Sequence, residues 1–227
     1  MIKKIAHLGD IHLEKNIKRH DEYKTVINRL VESIKEKKPC RTLIAGDIFD
    51  NKLETSNEMY IIAHKMINNL SKNTNKLLII TGNHDINIKN VNRKNTIDAT
   101  IETIDLQNVY YLNKSGFFVD ENVVWVVHDH VDGLNPWFEL SKLKNNIILN
   151  NWIYNLDGSD YNEKIKLNDL ENFLKNYKVI NTYHNPINGS TTPSNYVMES
   201  KKYRNLSDFK GDMLLMGDIH KKQYFYK

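Results

Sequence analysis

Five short apolar runs in this chain each end in a cluster of acidic, amide or imidazole residues, and that recurrence constrains the fold more than any other feature. Residues 5–8 run into Gly9-Asp10-Ile11-His12, residues 42–45 into Gly46-Asp47-Ile48-Phe49-Asp50, and residues 77–80 into Gly82-Asn83-His84-Asp85. Later runs at 179–183 and 213–216 lead into His184-Asn185-Pro186 and Gly217-Asp218-Ile219-His220. Amphipathic stretches at 21–37 and 58–70 separate the first three runs, and 97–104 reads as another helix. Strand, helix, strand, helix, strand predicts an α/β fold. In such folds the carboxyl ends of neighbouring strands gather side chains into one site.

Beyond residue 104 the pattern shortens to β-type runs at 109–112, 117–119 and 123–127. The turn residues Lys114-Ser115-Gly116 and Asp120-Glu121-Asn122 between them predict antiparallel hairpins. Residues 167–177 read as helix. The stretch 131–166, polar and rich in Asn, reads as an irregular insertion anchored by Trp137 and Trp152. With 227 residues and 40% apolar content, the chain suits one domain spanning 1–227.

Composition narrows the chemistry. Asp10 interrupts the N-terminal apolar stretch too early for a signal peptide or membrane span, so a cytoplasmic, nuclear or viral-factory location is expected. The single cysteine, Cys40, excludes an internal disulfide framework and most thiolate metal sites. A net charge of +4 permits a phosphate-rich partner without requiring one. An Asp after a Gly is by itself ordinary turn chemistry. Five polar clusters in succession, all oxygen and imidazole donors, suit Mn, Fe, Mg or Zn, and they are numerous enough for two ions.

Asp10-Ile11-His12, Gly46-Asp47-Ile48-Phe49-Asp50 and Gly82-Asn83-His84-Asp85 resemble, in order, the Asp-x-His, Gly-Asp-x-x-Asp and Gly-Asn-His-Asp/Glu signature of calcineurin-like metallophosphoesterases. His184 and the Asp-x-His at 218–220 extend the likeness from residue 5 to residue 220, apart from 131–166. The resemblance implies a four-layer α/β/β/α sandwich of two mixed β-sheets flanked by helices. It implies that Asp10, His12 and His220 hold one divalent cation, that Asp47 bridges both, and that Asn83, His184 and Asp218 hold the second. The family places His where this chain has Asp218, and the added carboxylate favours Mn2+ or Mg2+ over Zn2+. His84 is then the residue that contacts the phosphoryl group or protonates the leaving group, or else one that orients a ligand from behind. Asp50 and Asp85 are expected to support ligands or turns.

Within the family the chain is similar to SbcD-type DNA-repair exonucleases. The loop His184-Asn185-Pro186-Ile187-Asn188-Gly189 follows their His-x-x-aliphatic-x-Gly pattern, and Asp50-Asn51-Lys52-Leu53 lacks the Arg-Gly of phosphoprotein phosphatases. A metal-dependent nuclease acting in DNA repair, recombination or replication is therefore expected. The alternatives are a phosphatase or cyclic-nucleotide phosphodiesterase on the same core, and a non-catalytic nucleic-acid-binding module with a degenerate site. Lys15, Arg19, Arg93 and Lys221 are the expected DNA contacts. DNA, an SMC-like ATPase of the SbcC type and a second copy of the chain are the partners the resemblance implies. The cap and ATPase-docking regions it also implies have no counterpart before Lys227. Tyr110, Tyr111, Phe117, Phe118 and Trp125 read as core rather than base-stacking platforms, and His128 and His130 as a loop pair near solvent.

Overall fold

Parallel strands covered on both faces need nearly continuous apolar runs, and the first half of the chain supplies them. The computed structural model describes residues 1–86, 94–144, 146–220 and 223–224. These fall into two compact units, Ile2–Tyr111 and Leu112–Lys227 with Met1.

The first unit holds β1 (Ile5–Leu8), α1 (His20–Lys37), β2 (Arg41–Ala45), α2 (Asn57–Ser71), β3 (Lys76–Ile80), α3 (Thr96–Ile101) and β4 (Val109–Tyr111). The strands form one sheet in the order β1-β2-β3-β4, every pairing parallel. Leu43, Ile44 and Ala45 of β2 and Leu77, Leu78 and Ile79 of β3 are fully buried. On α1, Ile27 and Ile34 lie seven residues apart, two turns along one face, and enter the same core as Met59, Ile62, Met66 and Leu70 of α2. Ser56 caps α2 by accepting the Met59 amide at 3.3 Å.

The second unit holds β5 (Gly116–Asp120), β6 (Val123–His128), α4 (Pro136–Ser141), β7 (Ile153–Asn155), α5 (Leu170–Leu174), β8 (Lys178–His184), β9 (Ser190–Thr191), β10 (Val197–Met198) and β11 (Met213–Gly217). Its main sheet has the order β11-β8-β6-β5-β7 and is mixed: β5 and β6 are antiparallel, while β6, β8 and β11 run parallel. Phe117, Val124, Val126, Leu170 and Val179 form its core, with Trp137 and Trp152 packed against it. The stretch 131–166 thus contributes α4 and the edge strand β7, which pairs in parallel with β5.

The α/β class, with two larger β-sheets, a two-stranded ribbon of β9 and β10, and helices, is what the structure shows among the described residues. Two expectations are corrected. The sheet of the first unit is wholly parallel among the described residues, because a helix follows each of β1, β2 and β3 and returns the chain to the same edge. For the same reason β4 pairs with β3 and does not form a hairpin with β5; of the expected hairpins, the one between β5 and β6 forms. No helix among the described residues is long and apolar enough to cross a membrane.

Candidate metal centre

Because β1, β2 and β3 run parallel, their carboxyl ends share one edge, and Asp10, Asp47 and Asn83-His84 follow directly from those ends. The pairing continues past the strands. Asp10 donates its amide to the Gly46 carbonyl at 3.2 Å, while Ile11 and His12 both donate to the Asp47 carbonyl, at 2.9 and 3.0 Å. Asp10, His12 and Asp47 all have left-handed backbones, with φ of 56°, 48° and 53°. Side chains other than glycine rarely adopt this conformation, and strain of this kind collects at functional sites.

Asp47 is fully buried. Its Oδ1 accepts the His84 amide at 2.9 Å, and its Oδ2 lies 3.6 Å from His12 Nε2. Gly82 sits so close that a Cβ there would overlap the Asp47 carboxylate and amide nitrogen. The buried carboxylate of Asp85 accepts the amides of Asp47 at 2.7 Å, Gly82 at 3.1 Å and Phe49 at 3.3 Å. It thereby bolts the loop after β2 to the loop after β3. Three such charge-assisted bonds suit a carboxylate that holds loops in place.

His12 and His84 meet edge to face, with ring centroids 4.9 Å apart. His12 Nε2 is 4.0 Å from Asp10 Oδ1, and its Nδ1 is 3.4 Å from Asp50 Oδ1. His84 Nδ1 bonds the Asp50 carbonyl. A carbonyl only accepts, so Nδ1 carries a proton and Nε2 is the nitrogen left to exchange one. His12, Asp50 and His84 each offer one ligand atom, all within 4.8 Å of one another. Carboxylate oxygens and imidazole nitrogens at this spacing, without thiolate, fit hard to borderline divalent cations. Tyr23 donates its hydroxyl to the His12 carbonyl at 2.7 Å, and burial pushes that hydroxyl's pKa up, which keeps it a donor.

In the second unit β6, β8 and β11 also finish at one edge. His184 is the last residue of β8 and is buried; Gly217 of β11 lies opposite it in register. Asp218 follows with φ of 66°, and His220 is exposed. His128, at the end of β6, overturns its assignment to a solvent-facing loop: it is 2% exposed. Its Nε2–H donates to Asn181 Oδ1 at 3.0 Å and its Nδ1 accepts from Arg204 Nη1 at 2.7 Å. Trp137 Nε1 donates to the same Asn181 oxygen at 2.8 Å. Burial, opposed by the Asn181 bond and aided by the Arg204 charge, lowers the His128 pKa from 6.5 to about 3.

Of the expected DNA contacts, Lys15 is ion-paired with Glu54 and Arg19 with Glu14 and Glu22, while Arg93 and Lys221 lie outside the described residues. Sequence reasoning missed Lys52, whose Nζ donates to the Asn83 carbonyl at 3.4 Å. It also missed Arg204, which bonds His128 and lies over the Tyr183 ring with its guanidinium carbon 4.6 Å from the centroid.

A family model described as calcineurin-like phosphoesterase matches residues 3–222. The chain is also similar to an uncharacterized protein of Acanthamoeba polyphaga mimivirus, 31% identical over 229 residues. That alignment covers 98% of this chain and 15% of the viral protein, so the chain spans a small part of its relative's length.

Proposed function

Since the chain belongs to the calcineurin-like phosphoesterases, a family of metal-dependent phosphoester hydrolases, we propose that it is a DNA nuclease that cleaves phosphodiester bonds with two divalent cations. The observation that carries this reading is the shared strand edge where Asp10, His12, Asp47 and the Asn83-His84 pair meet, with Asp47 buried and Asp85 fixing its loop. The family pattern assigns Asp10, His12 and His220 to one cation and Asn83, His184 and Asp218 to the other, with Asp47 serving both. Mn2+ suits this set best and Mg2+ next, because Asp218 adds a hard donor. Bound divalent cations supply charge neutralisation at the phosphoryl oxygens and an acidified water at neutral pH.

The chain's own residues account for the rest. The Asp50 carbonyl holds His84 Nδ1–H and so orients the ring. A protonated His84 gives its Nε2 proton to the departing oxygen and is left as the Nδ1–H tautomer that the Asp50 carbonyl already stabilises. Asp85 keeps Asp47 and Gly82 in register while charge develops. DNA is favoured over a phosphoprotein by the His184-to-Gly189 loop and by the missing Arg-Gly after Asp50. A role in repair, recombination or replication follows from the same likeness, as does partnership with an SbcC-type ATPase or a second copy of the chain.

Incubation with linear and single-stranded DNA and Mn2+ tests the reading. Metal-dependent degradation is expected, reduced about 100-fold or more in His84→Ala, as removal of a general acid implies. Turnover of small phosphate esters with DNA intact would assign the chain to the phosphatases or cyclic-nucleotide phosphodiesterases. DNA affinity without two bound ions would make it a binding module.

A further inference from the structure

We propose that Lys52 binds substrate, its ammonium group holding a phosphate oxygen beside His84. The inference rests on the phosphoester reading above, though not on DNA being the ester. The segment after β2 crosses the loop after β3 at two points: the Asp50 carbonyl takes the His84 Nδ1 proton, and Lys52 Nζ reaches the Asn83 carbonyl. That places an ammonium group one residue from His84, on a half-buried side chain.

What separates Lys52 from the neighbouring cations is its partner. Lys15 is neutralised by Glu54, Arg19 by Glu14 and Glu22, and Lys94 by Glu102. Lys52 meets a neutral carbonyl, and among the described residues no carboxylate lies within ion-pair distance of it. An ammonium has three donors and no acceptor, so two remain after the Asn83 bond. A phosphate or phosphodiester offers two or more anionic oxygens, and a charge-assisted bond to one of them is stronger than a neutral one. The Asn83 carbonyl fixes where the charge stands, and so which face of the phosphoryl group it holds while His84 delivers its proton.

Calorimetric titration of the Mn2+-loaded protein with inorganic phosphate tests this, comparing wild type, Lys52→Ala and Lys52→Arg, with Mn2+ affinity measured separately. Phosphate affinity should fall about tenfold in Lys52→Ala, the loss of one hydrogen bond to a charged group. It should return in large part in Lys52→Arg, with Mn2+ affinity equal in all three. Equal phosphate affinity in wild type and Lys52→Ala overturns the proposal, and so does absence of phosphate binding by wild type. A parallel loss of Mn2+ affinity that arginine does not restore would make Lys52 a strap for the Asn83 loop, which also overturns it. If wild type leaves DNA intact while the phosphate pattern holds, the nuclease reading fails and Lys52 keeps its role.

Discussion

His12 and His128 both stand at strand ends, one in each unit, and their surroundings give them opposite chemistry. His12 is flanked by the carboxylates of Asp10, Asp47 and Asp50, all within 4.0 Å of a ring nitrogen. His128 is flanked by an amide oxygen and a guanidinium, which fix it as the neutral Nε2–H tautomer and occupy both nitrogens. A cation placed beside His12 would be stabilised by its neighbours, whereas one beside His128 would meet the positive charge of Arg204. A histidine after a strand therefore says little until the charges around it are known. The carboxylates fit the first edge to hold a divalent cation, and the arginine makes the second histidine a structural post.

Three experiments break or sharpen this contrast. The largest effect is expected at the carboxylate edge, where Asp47→Asn should lower Mn2+-dependent hydrolysis on the order of a thousandfold, the range seen when a key electrostatic group is removed. The asparagine oxygen can still accept the His84 amide, so the thermal unfolding midpoint should hold. A variant that keeps its rate would show that buried charge is not what distinguishes this edge.

Next is Gly82→Ala, whose Cβ would overlap Asp47. Overpacking against Asp47, whose backbone amide is pinned by Asp85, should lower stability by about 3 kcal/mol. Denaturant titration measures it, and an unchanged midpoint would mean the loops yield more readily than the Asp85 bonds imply.

The smallest effect belongs to His128. Its folded pKa of about 3 lies below its ordinary 6.5, so between those values the unfolded chain binds a proton that the folded chain refuses. The stability it contributes is full above pH 6.5 and drains as pH falls; at pH 5 about 2 kcal/mol should be gone. Thermal unfolding at pH 7 and pH 5 should show a drop that is shallower in His128→Gln, which does not titrate. Equal slopes would mean His128 is protonated in its network.

Much of the first edge was legible in the sequence because a short apolar run followed by Gly-Asp or Gly-Asn marks a strand end by local chemistry alone. The pairing of β4 was not legible: three residues carry no usable period, and its partner β3 lies before an intervening helix. Nor was β7, an equally short run in a polar stretch. The environment of His128 depends on Asn181 and Arg204, 53 and 76 residues away, and no spacing rule joins such positions. Lys52 carries no signal of its own in the sequence, where its neighbours suggest only a surface loop, while the carbonyl it meets is 31 residues distant.

The left-handed backbones at Asp10, His12, Asp47 and Asp218 bear on how such a chain tolerates change. Glycine would relax the backbone at each of them by on the order of 1 kcal/mol while deleting a carboxylate or imidazole. At Asp47 that relief would be offset, because its Oδ1 accepts the His84 amide and glycine would leave that amide without it. Under the proposed function, relief of the backbone and retention of the chemistry pull in opposite directions at these four positions.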